Sequence, residues 1–123
     1  MPLRQTRKHG QRTAAKQSAL IDVYVTFANQ READRIVRAV VDQRLAACAN
    51  VWPIRSRYWW KGKVVQAREV AALFKTTAGR FPALERRIRQ LHRYQVPCIV
   101  AWPIARAFGT YQQWVKKSVH AAT

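Results

Sequence analysis

Acidic residues are scarce in this chain of 123 residues, where 6 Asp and Glu stand against 23 Lys and Arg. Glycine is scarce as well, with 4 residues. Acids so few and so dispersed supply no facing pair of carboxylates, and the glycines form no phosphate-binding loop. Neither a serine-histidine-aspartate constellation nor an HExxH motif is present. The sequence therefore predicts a protein that is not an enzyme and needs no obligatory cofactor.

Cysteine and long apolar runs are equally limited. The two cysteines, Cys48 and Cys98, form neither a disulfide framework nor a CxxC metal pair, which indicates a reducing compartment. No run approaches the roughly 18 apolar residues that span a bilayer. The basic N-terminus lacks the apolar segment of a secretory signal. We therefore expect a cytoplasmic protein with no membrane partner.

The excess of bases gives a formal net charge of +17. Residues 1–20 contain five bases and no acid, so the rest of the chain keeps +12 after those five are subtracted. A field of this strength attracts polyanions such as nucleic acid or acidic proteins. Residues 1–19 are polar and unpatterned, and we expect a mobile basic arm there, one domain over 20–119 and a tail at 120–123.

Apolar spacing changes its period along the domain. Residues 20–27 alternate as in a half-buried strand. Residues 30–45 then repeat at three- and four-residue steps, which predicts an amphipathic helix with a capping box that starts at Asn29.

The second half repeats this sequence of elements. Residues 47–76 are rich in strand formers and have a turn at Lys61-Gly62, and Pro82 fits the first turn of a helix. The apolar run at 98–102 predicts a strand covered on both faces, and a short helix begins near Thr110. The order β-α-β-β-α-β with an extra C-terminal helix predicts an α+β, ferredoxin-like split βαβ fold.

Seven collinear motifs across residues 20–119 resemble the CutA family of divalent-cation tolerance proteins. They are Val23-Tyr24-Val25-Thr26-Phe27, Arg44-Leu45-Ala46-Ala47-Cys48-Ala49-Asn50, Tyr58-Trp59-Trp60-Lys61-Gly62-Lys63, Leu73-Phe74-Lys75-Thr76-Thr77, Arg80-Phe81-Pro82-Ala83-Leu84-Glu85, Leu91-His92-Arg93-Tyr94-Gln95-Val96-Pro97 and Tyr111-Gln112-Gln113-Trp114-Val115. The resemblance implies a homotrimer in which strands of one subunit pair with those of the next, and a likeness to trimeric PII-type signalling proteins. Long Trp-rich strands agree with it, since unpaired strands need another chain to cover them.

The resemblance also implies a link to copper or another divalent ion. At the family's proposed ligand positions this chain has Val25 in the first strand, His92 before the Tyr-x-Val-Pro segment and Cys98 after it. A thiolate with an imidazole can hold Cu(I) or Zn²⁺, so we consider His92, Cys98 and Cys48 as metal-binding candidates. The alternative is that both cysteines are buried apolar residues and His92 is a helix-terminal residue.

Two further hypotheses concern anions. If the trimer forms, an inter-subunit cleft for a small anionic effector, as in PII-like sensors, would be lined by Tyr58, Trp60, Lys61, Lys75 and Thr76. A polyanion such as nucleic acid would instead contact the basic surface of the second helix. Its residues are Arg80, Arg86, Arg87, Arg89 and Arg93. For each set the alternative is ordinary packing or a solvated helix face.

Overall fold

The computed structural model describes residues 15–120, so the arm and tail predictions for residues 1–14 and 121–123 lie outside it. The strands are β1 (Leu20–Phe27), β2 (Cys48–Trp60), β3 (Lys63–Thr77) and β4 (Ile99–Pro103). The helices are α1 (Gln30–Asp42), α2 (Phe81–Leu91) and α3 (Gly109–Val119), with a 3-10 helix at Ala78–Arg80 before α2. Residues 15–18 add a helical turn ahead of β1.

The four strands form one antiparallel sheet in the order β2-β3-β1-β4. Helix α1 connects β1 to β2 and helix α2 connects β3 to β4. In each case one strand from the other unit lies between the two connected strands. This is the split βαβ arrangement, and the predicted ferredoxin-like α+β fold is confirmed.

One face of the sheet packs against α1 and α2. Alternate side chains of β1, including Val23 and Val25, are fully buried there with Phe74 of β3. Ile36 of α1 and Ile88 of α2 complete the same core from the helical side. The period of two in the strand and of three to four in the helices therefore identified the core correctly.

Helix α1 begins where predicted, but only the Asn29 half of the predicted capping box forms, and the helix ends earlier. The Asn29 side chain accepts the backbone N–H of Glu32 at 2.9 Å, which caps the first turn. At the other end Arg44 has a φ of 59°, and the N–H of Leu45 reaches the carbonyl of Val40 at 3.0 Å. This is a Schellman termination, in which an apolar residue just past the helix packs back on it. Leu45 thus extended the apolar pattern beyond the helix.

Strand β4 differs from its prediction. The continuous apolar run suggested a strand covered on both faces, but β4 lies at the edge of the sheet and pairs only with β1 among the described residues. Val100 is 48% exposed and Trp102 is 43% exposed. The prediction was wrong for the single chain because burial by α1 and α2 reaches only one face of the sheet.

The β2–β3 hairpin extends well beyond β1. Residues 54–60 and 63–69 pair only with each other, and we call this two-stranded extension the ribbon. Its turn is Lys61-Gly62, with φ values of 51° and 77°, as in a type I′ hairpin turn. Within residues 15–120, no helix has the length and apolar character needed to cross a membrane.

Candidate functional site

His92 follows directly after α2, and its imidazole is fully buried. Its Nε2 atom lies 2.7 Å from the backbone oxygen of Thr26, and its Nδ1 atom lies 3.0 Å from the backbone nitrogen of Tyr94. A carbonyl can only accept and an amide N–H can only donate, so the ring is neutral with its proton on Nε2. Phe27 stacks on the ring at 5.2 Å between centroids. Both nitrogens of this metal candidate are therefore occupied by the protein.

A buried carboxylate lies beside the imidazole. Glu32 is 3% exposed, and its carboxylate oxygens lie 3.5 Å from Nδ1 of His92 and 3.8 Å from Nε of Arg93. Neither oxygen accepts a hydrogen bond from the described residues. The guanidinium of Arg93 therefore supplies the positive charge that compensates Glu32, and this arginine of the predicted polyanion surface has an intramolecular partner.

Cys98 is a free, partly buried thiol in the segment before β4. Burial raises the pKa of the Cys98 thiol above its ordinary value, a hydrogen bond with Thr26 opposes the rise, and the charge of Glu69 adds to it. Glu69 is itself buried in β3 and accepts the hydroxyl of Tyr94 at 2.6 Å. Burial and this hydrogen bond raise the pKa of Tyr94. Cys98 is therefore mainly a thiol at neutral pH, and a metal ion must displace its proton.

The other cysteine lies elsewhere. Cys48 begins β2 opposite Lys75, which in turn pairs with Asp22 of β1. Its Sγ atom contacts the Tyr111 hydroxyl of α3 at 3.5 Å. Cys48 therefore lies level with Asp22 on β1, whereas Cys98 lies beside Thr26. Asp22 and Thr26 are four residues apart, so the two cysteines are separated by about 13 Å along the strand direction. Across residues 15–120, no three His, Cys, Asp or Glu side chains form a group that could hold a metal ion. The described part of one subunit therefore does not provide the ligands of a closed metal site.

The five residues of the predicted effector cleft divide between the two ends of β3. Tyr58, Trp60 and Lys61 lie at the free end of the ribbon, where the Lys61 ammonium sits 5.8 Å from the Trp60 ring. Lys75 and Thr76 lie about 40 Å away, given the rise of an extended strand. A single subunit therefore does not assemble this cleft.

Lys75 and Thr76 both have local partners. The Lys75 ammonium lies 2.9 Å from a carboxylate oxygen of Asp22. Thr76 is fully buried, and its hydroxyl donates to the carbonyl of Leu45 at 2.8 Å. The cleft stays a prediction. Because its side chain is buried, Thr76 can stabilise such a cleft but cannot contact the effector.

Sequence reasoning missed the side chains on the second face of the sheet. Tyr24, Trp52, Val100 and Trp102 lie together there, with the Tyr24 ring 6.2 Å from that of Trp52 and 6.5 Å from that of Trp102. We call these four residues the open face. Trp102 is oriented by its indole N–H, which donates to Asp22 at 3.0 Å. The signal was the apolar and aromatic character of strand positions that alternate with the core positions.

The structure is thus a ferredoxin-like α+β domain in which the apolar open face of the sheet remains exposed in the single chain. The chain matches the family model described as CutA1 divalent ion tolerance protein over residues 21–118. It is 42% identical over 100 residues to the divalent-cation tolerance protein CutA of Thermotoga maritima, with 81% of this chain and 99% of that protein covered. The chain therefore belongs to the CutA1 divalent ion tolerance family, and the resemblance seen in its motifs is confirmed.

Solved structures agree with this assignment. The periplasmic divalent cation tolerance protein CutA of Archaeoglobus fulgidus has a TM-score of 0.81 and 35% identity, with 82% of this chain and 99% of that chain covered. CutA1 of Oryza sativa also has a TM-score of 0.81 and 35% identity, with 85% and 96% covered. Because one relative is described as periplasmic, the cytoplasmic location of this chain stays a prediction.

Proposed function

We propose that this chain is a non-enzymatic, homotrimeric protein of divalent-cation tolerance. Its relatives are named for cation tolerance and not for a reaction. The sequence motifs of nucleophilic, acid–base and phosphate-binding catalysis are missing as well. Family membership and chemistry thus support a binding role over a catalytic one.

The open face is the observation that supports the trimer. Trp52 is 38% exposed, and Val100 and Trp102 are exposed by 48% and 43%. A contiguous apolar and aromatic surface of this kind is uncommon on a monomer and typical of a protein–protein interface. A trimer would bury three copies of it while the arginine-bearing helices stay outside, where their charges are solvated.

The ribbon and the sheet edges support the same assembly. β2 and β4 are the outer strands of the sheet, and the ribbon carries Tyr58, Trp59 and Trp60 into solvent. Edge strands with unpaired backbone groups and exposed aromatics invite pairing with another chain. Pairing of these edges with strands of neighbouring subunits would satisfy the unpaired backbone groups. Inter-subunit strand pairing is therefore part of the proposal.

Light scattering coupled to size-exclusion chromatography at high salt tests the assembly. We expect a mass three times the 14.3 kDa of one chain. Trp102→Lys places an ammonium on the open face beside Asp22, with which it can pair, so we expect a folded monomer. Gln30→Lys is the control, because Gln30 is exposed at the start of α1, which packs on the opposite face of the sheet. A monomeric wild type, or dissociation of both variants alike, would contradict the proposed interface.

We further propose that copper contacts this protein through Cys98. A thiolate is the softest ligand available, and soft ligands favour copper over magnesium. Both nitrogens of His92 are engaged, so the imidazole joins the ion only if it gives up Thr26 or Tyr94. The remaining ligands must come from water or from the neighbouring subunits of the trimer.

A further inference from the structure

We propose that a groove at the C-terminal end of α2 binds the phosphate backbone of nucleic acid. The groove has a volume of about 390 Å³, and it is lined by Arg86, Arg89, Gln90, Tyr94, Gln95 and Pro97. Its lining offers two guanidinium groups and two amides as donors, and it contains no carboxylate. This site goes beyond the proposed role in cation tolerance and does not depend on it.

Arg86 and Arg89 are the arginines of α2 that remain available. Both are exposed, and neither forms an ion pair with an acid of the described residues. They are three positions apart on the helix, so their side chains share one face. Two adjacent guanidinium groups match the geometry of phosphate oxygens, which they bind through paired N–H donors.

The other three arginines of the predicted polyanion surface contact groups within the chain. Arg80, in the 3-10 helix before α2, donates from Nε to the carbonyl of Val119 at 2.7 Å and so joins that turn to the end of α3. Arg93 lies beside the buried Glu32, and Arg87 donates to the side chain of Gln90 at 3.2 Å. The structure thus narrows the basic surface from five arginines to the pair in the groove.

A second groove, on α1, shows what makes the first one distinctive. It has a volume of about 480 Å³ and is lined by Arg31, Arg35 and Arg38 together with Asp34 and Asp42. Arginines and carboxylates alternate there, so the local field is largely compensated and a phosphate would meet two acids. The lining of the α2 groove contains no acid, so its two arginines are not compensated in this way.

A chain of phosphates fits the charge distribution better than one small anion. The net charge of +17 attracts an extended polyanion from a distance, and the groove then offers fixed donors to its backbone. The donors of the groove suit phosphates and provide no set of contacts arranged to read base edges. We therefore expect binding without sequence preference that weakens steeply with salt.

Fluorescence anisotropy with a short labelled single-stranded RNA, titrated at several salt concentrations, tests the groove. For Arg86→Gln/Arg89→Gln we expect Kd to rise about tenfold and the logarithmic salt slope to fall by about 1.4, because two phosphate contacts are lost. Arg31→Gln/Arg38→Gln is the matched control, since it removes the same charge from the compensated groove. We expect its Kd to change less than about twofold.

Three outcomes would overturn the proposal. Equal losses in both double variants would assign the binding to overall charge. No measurable binding at physiological salt would remove the site altogether. Competition by poly-glutamate as effective as that by unlabelled RNA would assign the groove to acidic proteins. None of these outcomes bears on the trimer or on copper.

Discussion

The Nε2–H of His92 donates to the backbone carbonyl of Thr26 at 2.7 Å. This bond joins the end of α2 to the end of β1, across a sequence separation of 66 residues. A buried backbone carbonyl at a strand end needs a donor, and the imidazole provides one while it accepts from Tyr94 on its other side. His92 is thus a structural link between helix and sheet before it can be a ligand.

Replacement of His92 tests this role. We expect His92→Ala to lower the free energy of unfolding by about 3 kcal/mol, because a buried ring is lost and two backbone groups lose their partners. Urea unfolding followed by circular dichroism measures the change. Cys98→Ala is the comparison, and its effect should stay below about 1 kcal/mol since the thiol is only partly buried. Equal stabilities of the His92 variant and wild type would show that the link contributes nothing.

Tyrosine ionisation offers a pH-dependent test. Burial raises the pKa of Tyr111 to about 12, with a contribution from its hydrogen bond to Cys48, and the pKa of Tyr94 is raised as well. The folded protein therefore keeps protons that the unfolded chain loses near its ordinary value of 10.0. The protonated hydroxyls therefore contribute their full share of the free energy of unfolding below pH 10.0. This contribution is lost as the pH rises from there towards 12.

Ultraviolet absorbance of tyrosinate measures these ionisations. We expect the folded protein to titrate at higher pH than the same protein in urea, and Tyr111→Phe to remove part of the delayed absorbance. Superimposable folded and unfolded titrations would contradict the buried environments of Tyr94 and Tyr111.

The hairpin turn provides a backbone test. Gly62 has a φ of +77° and open space around its Cβ position, so a side chain there meets no atom but adopts a strained conformation. We expect Gly62→Val to cost about 1 kcal/mol and to lower the Tm. Gly109→Ala is the matched control, because Gly109 also has free space but ordinary helical geometry at the start of α3. Its Tm should be unchanged or slightly raised.

The parts of the fold that follow from local chemistry could be predicted. Alternation in β1, the Asn29 cap and the Gly62 turn depend on neighbours in sequence, and each was correct. The end of α1 could not be predicted as well, because Arg44 takes a left-handed conformation that arginine rarely adopts. Leu45, which packs back on the helix, has the same apolar character as a helical core residue.

The candidate site was harder to predict because it depends on distances between strands. Residue types indicated Cys48 and Cys98 alike, but only the sheet register shows that they lie apart. Thr76 carries a polar side chain at a strand end, yet that side chain is buried, and its hydroxyl donates to the carbonyl of Leu45. Position in the sheet, and not composition, decides which of these groups can meet a ligand.

Copper binding should depend on pH in a defined direction. Burial raises the pKa of Cys98, so the thiolate fraction grows as the pH rises towards and beyond neutrality. A metal ion competes with that proton, and we expect the apparent Kd for Cu(I) to fall with increasing pH. Competition with a chromophoric chelator under reducing conditions measures it. A pH-independent Kd would show that the thiol does not contact the ion.

The most direct measurement of the proposed cation-binding role is a Cu(I) titration of nucleic-acid-free protein beside Cys98→Ala and Cys48→Ala. The two variants are matched, because each removes one free, partly buried thiol from a different place on the sheet. We expect binding near one ion per subunit in the wild type and in Cys48→Ala, and its loss in Cys98→Ala. Equal binding by all three proteins, or its loss in Cys48→Ala alone, would contradict the assignment of copper contact to Cys98.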